Sequence, residues 1–200
     1  MNRTPRVCVI LKALRVATRT SMAKYTVERS PLINFFVADT RSAWLWLVLR
    51  LYLGYGWLTV GWEKIQDPAW VGNNAGAALA GFMQGALAKT GGAHPDVQGW
   101  YAWFLEHVVI PHAVVWSYLI ACGEVLVGIA LLLGFLTGVA TFFGMSMNFN
   151  YLLAGSISVN PIWLMLGLLL LLSWRVSGYI GLDRWVLPRL FGSTEVKRVG

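Results

Sequence analysis

The chain has 200 residues, 57% of them hydrophobic and only 12% charged, against roughly a quarter charged in soluble globular proteins. Its formal charge of +7 is carried mostly at the two ends, unlike a basic groove that follows phosphates, so nucleic acid is excluded as a partner and a lipid bilayer is implied. No phosphate-cradling glycine loop followed by Lys, no CxxC, no GxSxG and no HExxH occurs, which excludes hydrolytic and nucleotide-driven chemistry. No His-rich or Cys spacing points to a metal.

Residues 1–41 read as a basic cytoplasmic tail, with Arg3, Arg6, Lys12, Arg15, Arg19, Lys24, Arg29 and Arg41 ahead of the first apolar run. The stretch VCVILKALRV is broken by Lys12 and lacks a small-residue cleavage site, so it reads as solvated tail rather than signal peptide. Met22 offers an alternative start. Cys8 falls in this tail and Cys122 in an apolar segment, which leaves no pair to form a disulfide framework.

Residues 42–182 are expected to form a four-span membrane domain, because a bilayer needs about 20 apolar residues per helix. Span 1 is placed at 43–63, ending at Glu63, Lys64 and the turn-forming Asp67-Pro68. An external insert follows over 64–112. It should contain a small-residue helix from Asn74 to Lys89 with Leu79, Phe82, Met83 and Leu87 on one side. A second helix, from Asp96 to Val109, spaces Trp100, Trp103, Phe104 and His107 at three and four; its tryptophans suit an interfacial position. Pro111 and His112 then precede span 2 at 113–133. GFLTG allows only a tight turn into span 3 at 137–154, and Asn160-Pro161 opens span 4 at 161–180. Residues 183–200 form a basic C-terminal tail with Arg184, Arg189, Lys197 and Arg198. Basic residues at both ends place both termini in the cytoplasm and the chain in the plasma membrane as a multi-pass protein. The fold class is all-α: a four-helix membrane bundle with an external interfacial insert, and glycines scattered through spans 1 to 3 that permit close helix approach.

Ionisable groups inside spans are costly and face the bundle interior or a polar cavity. Two stand out, Arg50 in span 1 and Glu124 in span 2. Counted from the cytoplasmic span ends at 1.5 Å per residue, they lie at depths of roughly 12 and 15 Å and are expected to pair. That pair either fixes helix register or presents a proton-handling carboxylate to a substrate pocket. Asn148 and Asn150 in span 3 either bond between helices or hold a carbonyl ligand. Glu106, His107 and His112 gather at the outer mouth, and Lys64 either snorkels to headgroups or meets an anion.

With these residues in place, the chain resembles the DoxX family, and within it the DoxD-like small membrane subunit of thiosulfate:quinone oxidoreductase. The resemblance rests on LRLYLGYGWLTVGWEKIQDPAW, the insert GFMQGALAKTGGAHPDVQGWYAWFLEHVVIPH, GEVLVGIALLLG, MNFNYLLAG and RVSGYIGLDRW. Arg50, Gly54, Lys64, Glu124, Gly128, Gly134 and Asp183 fall at its recurrent polar and glycine positions. It implies a membrane subunit that passes electrons from a small anionic sulfur substrate to a quinone, with a second oxidoreductase subunit as partner; self-association is left open. On that reading Glu124 and Arg50 are catalytic, while Asn148, Asn150, Lys64, His107 and His112 bind quinone or substrate. The alternative is a non-catalytic anchor for soluble redox partners, held through the basic tails.

Overall fold

A computed structural model describes residues 30–191, which are all-helical with no strand. Helix α1 spans Pro31–Ala38; after the helical turn Thr40–Ser42, helix α2 runs Ala43–Gln66. Helix α3 spans Ala77–Leu87 and α4 Gly99–Phe104. The chain continues helically through Leu105–Val109 and Ile110–His112 into α5, Ala113–Leu133. Helices α6 (Thr137–Leu153), α7 (Asn160–Leu172), α8 (Trp174–Ser177) and α9 (Asp183–Phe191) complete the order.

Helix α2 packs most extensively on α5, α6 on both α5 and α7, and α3 and α4 cover one end of the group. Two cores result. Trp46, Leu53, Trp57, Val127, Leu131 and Leu170 fill the bundle. Leu79, Met83, Tyr101, Leu105 and Val109 form a second core under the insert, closed by Ala154. Lys89 Nζ donates to Gly155 O at 2.8 Å and the Tyr101 hydroxyl donates to Asn150 O at 3.1 Å, fastening the insert to the last turns of α6 and the loop after it. Two continuous helices, Thr40–Gln66 and Gly99–Leu133, are long and apolar enough to cross a membrane.

Three local features differ from the sequence expectation. The second insert helix is not separate from the helix at 113–133: a wide π turn, closed by Ile110 N donating to Leu105 O, carries the chain past Pro111. Loosening the ladder there relieves the clash between the proline ring and the carbonyl one turn back. The segment at 161–180 breaks at Ser173, whose hydroxyl donates back to Leu169 O at 2.7 Å, leaving α7 at 13 residues, about 20 Å long. The segments on either side of the bundle are also ordered into helices rather than plain tail. Helix α1 receives the Trp46 indole N–H on Phe36 O at 2.9 Å, and α9 begins at Asp183, which is 2% exposed. The remainder of both basic tails, with Cys8 and Met22, lies outside the described residues.

Asp183 explains why the turn between α5 and α6 is so short. Gly134 closes α5 at φ +65° and Leu136 follows at φ +46°, so the first amides of α6 point out of the turn. The Asp183 carboxylate accepts from Leu136 N at 2.5 Å and Thr137 N at 2.8 Å, capping orphan donors and meeting the positive helix end. Asp183→Ala is expected to cost about 1–3 kcal/mol, and Asp183→Asn less, measured by unfolding in detergent. An alanine variant as stable as the parent chain would remove the cap from this account.

Candidate functional site

The α2–α5 contact sets which buried charges meet. Its glycines allow near-backbone approach: a Cβ on Gly54 would meet Leu132 N at 3.0 Å, one on Gly61 would meet Val125 N at 2.7 Å, and one on Gly128 would meet Leu58 N. These antiparallel pairings carry Glu124 to the level of Lys64, and Arg50 to the turn at Gly134. The expected Arg50–Glu124 pair is therefore not made. The span ends are not level: α2 extends past the end of α5, so depths counted from the two ends do not correspond.

Glu124 is fully buried, and both its oxygens accept from Lys64 Nζ, at 2.7 and 2.6 Å. The Tyr151 hydroxyl of α6 donates to Glu124 Oε1 at 2.5 Å. Lys64 does not snorkel outward; its ammonium lies 5.0 Å from the centre of the Trp70 ring and 5.5 Å from that of Tyr151, where ring faces add attraction for a cation. An ammonium shared by two carboxylate oxygens is a charge-assisted arrangement that offsets burying Glu124 alone.

These groups form one wall of a cavity of ≈ 260 Å³, near the lower edge of the ~300–1,000 Å³ usual for small-molecule sites. Trp57, Trp70, Phe82, Tyr151 and Trp163 supply its aromatic surfaces, and Ser156, Ser158 and Asn160 its polar rim. Ser158 has φ +34°, a left-handed conformation in a non-glycine residue, and such backbone strain concentrates at ligand sites.

The other residues expected at the site lie elsewhere. Arg50 is 1% exposed and donates to Ser177 O at 3.3 Å and Ile180 O at 2.7 Å, tying α2 to the segment between α8 and α9. Asn148 is buried beside a separate cavity of ≈ 10 Å³. The Asn150 amide donates to Ser146 O at 2.8 Å, and its Oδ1 accepts from the Tyr101 hydroxyl at 3.2 Å; both bonds hold the insert in place. His107 stacks on Trp103 at 4.9 Å and bonds Trp103 O, while His112 bonds Val108 O. Each histidine is satisfied by its own helix one turn back, and neither lines the cavity. Glu106, His107 and His112, expected to gather at the outer mouth, do not line the cavity that holds the Lys64–Glu124 pair.

Sequence reasoning missed Tyr151, Trp70, Phe82 and the Trp57–Trp163 contact, whose ring centres are 5.3 Å apart. Tyr151 carried a signal. Thr137, Thr141, Gly144, Asn148 and Tyr151 alternate steps of four and three, which places them on one face of α6.

No curated protein and no solved structure matches the chain. The family model described as TQO small subunit DoxD matches residues 45–192, more than half of the sequence, and the chain belongs to the DoxD family.

Proposed function

We propose that this chain is the membrane subunit of a quinone-linked oxidoreductase of the thiosulfate:quinone type, acting with a second subunit. In this reading it crosses the plasma membrane four times with both termini cytoplasmic. The family match supports the assignment, as does the broad band of exposed apolar side chains, including Val48, Tyr52, Leu119, Leu126, Phe142, Phe143, Ile162 and Met165. A soluble monomer does not leave so much apolar surface uncovered.

The observation that carries the quinone reading is the Lys64–Glu124–Tyr151 cluster on the wall of an aromatic cavity. Its residues fit a flat ring bearing carbonyl oxygens. Trp57, Trp70, Phe82 and Trp163 offer faces for the ring, Lys64 and Tyr151 offer donors, and the buried Trp163 Nε1 has no hydrogen-bond partner among the described residues. A bound quinone supplies a two-electron, two-proton acceptor. The chain's own part is to exclude water with the indoles, orient a carbonyl oxygen with the Lys64 ammonium, and hold protons on Glu124 Oε1 and the Tyr151 oxygen next to it. Thiosulfate is the electron donor in this reading, and its oxidation is shared with the second subunit.

The test is thiosulfate-dependent reduction of a soluble quinone by the chain, purified in native lipids with whatever partner co-purifies. Glu124→Gln replaces a proton-accepting oxygen with an amide while keeping the side chain's shape, and is expected to lower the rate about 100-fold. An undiminished rate in Glu124→Gln would sink the assignment of proton handling to this carboxylate. Activity in neither protein would favour an anchoring subunit, with the co-purifying partner as its cargo.

A further inference from the structure

The exposed charge of the bundle is divided by end. Helix α2 covers 24 residues, about 36 Å, and exposed Glu63 and Asp67 sit at its far end, with exposed Asp96 and Glu106 on the insert. Exposed Arg41 stands before its first turn, and exposed Arg175, Arg184 and Arg189 lie on α8 and α9. Helix α8 packs on α1 and α2. Leu182 N and Asp183 N donate to Leu133 O and Gly134 O at the end of α5, which places the start of α9 at the Arg41 end as well. The arginines of α8 and α9 have no anion to meet. Lys64–Glu124 is the sole ion pair among the described residues, and Asp183, the one carboxylate on these two helices, is buried and taken up by the Leu136 and Thr137 amides.

Their guanidinium groups are nevertheless held in place. Arg175 Cζ lies 5.2 Å from the centre of the Trp174 ring and Arg184 Cζ 5.6 Å from that of Tyr179. A ring beneath a guanidinium attracts it through the π face and leaves its edge, the N–H fork, for an anion. Arg189 spends one N–H on Trp185 O at 3.0 Å and keeps the rest of its fork. The edge of Phe191 meets Trp174 with ring centres 6.4 Å apart, so α9, nine residues and about 13 Å long, folds back against the turn that carries Arg175. Three guanidinium groups thus share one small surface, and a phosphodiester is the anion whose oxygens such forks match.

Trp185, Leu190 and Phe191 of the same helix are each more than half exposed. A dissolved phosphate would satisfy the arginines and leave these side chains in water, whereas a phospholipid covers both with one molecule. Basic residues mixed with Trp, Leu and Phe on a short helix beside a membrane bundle are the pattern of an interfacial helix that reads anionic lipid. We propose that the α8–α9 surface binds an anionic phospholipid, its phosphodiester oxygens bonded by Arg175, Arg184 and Arg189 and its acyl chains laid on Trp185, Leu190 and Phe191. The carboxylates of the opposite end repel the same headgroup, so the lipid is held at one end of the bundle only. This site needs the bilayer and does not depend on the quinone reading.

The test uses the full chain in neutral detergent, with phosphatidylglycerol or phosphatidylcholine of the same acyl chains added at equal concentration. Native mass spectrometry counts the lipid retained, and the unfolding temperature is read in parallel. The parent chain is expected to retain phosphatidylglycerol several-fold over phosphatidylcholine and to unfold at a higher temperature with it, and raised salt should shrink both differences. Arg175→Gln/Arg184→Gln/Arg189→Gln is expected to lose the preference while unfolding like the parent in phosphatidylcholine. Each single Arg→Gln substitution, at an exposed position, should lower the preference in part, which keeps the test readable if the triple variant folds poorly. Equal retention of the two lipids by the parent overturns the proposal. So does a triple variant with the parent's preference, which would place the lipid on the basic tails. An equal rise in unfolding temperature with inorganic phosphate alone would make this a site for a free anion and overturn it too.

Discussion

Lys64→Met is expected to destabilise the chain by about 3–5 kcal/mol, the usual consequence of removing one partner from a buried ion pair. Glu124 is 0% exposed, so the orphaned carboxylate keeps only the Tyr151 hydroxyl at 2.5 Å and must either take up a proton or stay charged in an apolar bundle. The double variant Lys64→Met/Glu124→Leu should recover most of the loss, because replacing both members of such a pair with apolar groups is often close to neutral. Thermal or chemical unfolding in detergent measures four proteins: the parent, Lys64→Met, Glu124→Leu and the double variant. Single-variant effects that add to within about 0.5 kcal/mol would mean that Lys64 and Glu124 do not depend on each other. If the double variant is stable yet reduces no quinone, the pair is retained for chemistry and not for holding α2 to α5.

This pair also marks where reading the sequence stops. The helices at 43–66, 113–133 and 137–153 were legible, with ends within three residues of expectation, because uninterrupted apolar runs of bilayer length and a GFLTG turn leave the backbone little choice. That Arg50 and Glu124 needed partners was legible too, since isolated charges are not stable in lipid. Which partner each takes depends on the axial offset between α2 and α5, and periodicity carries no information about offset. The offset is set by Gly54, Gly61 and Gly128 meeting Leu132, Val125 and Leu58, a pairing between segments 60 and more residues apart in sequence. Trp70 and Phe82 reach the cavity only because the insert folds back over the bundle on its own core. Read alone, that insert looked like a strip lying on the membrane surface. The exposed Trp100 and Trp103 fit that view, but Tyr101 and Leu105 of the same stretch are buried and hold the insert down.

Gly128→Ala is the second large effect expected, and it tests that offset directly. An added Cβ would lie 2.7 Å from Leu58 Cα and as close to its amide nitrogen. Both are backbone atoms, so no rotamer change can make room, and α2 as a whole must move off α5. Overpacking of this kind costs about 1–3 kcal/mol and sometimes more. The displacement also draws Lys64 away from Glu124, so quinone reduction should fall together with stability. Gly85→Ala is the matched control. That glycine lies within α3 with nothing inside 4 Å of an added Cβ, so the substitution should stabilise by about 0.5–1 kcal/mol through helix propensity alone. The same chemical change is thus expected to have opposite signs at two helical glycines, and unfolding in detergent reads both. A Gly128→Ala chain as stable as the parent would mean that close approach of α2 to α5 does not set the register, and the placement of Glu124 opposite Lys64 would need another cause.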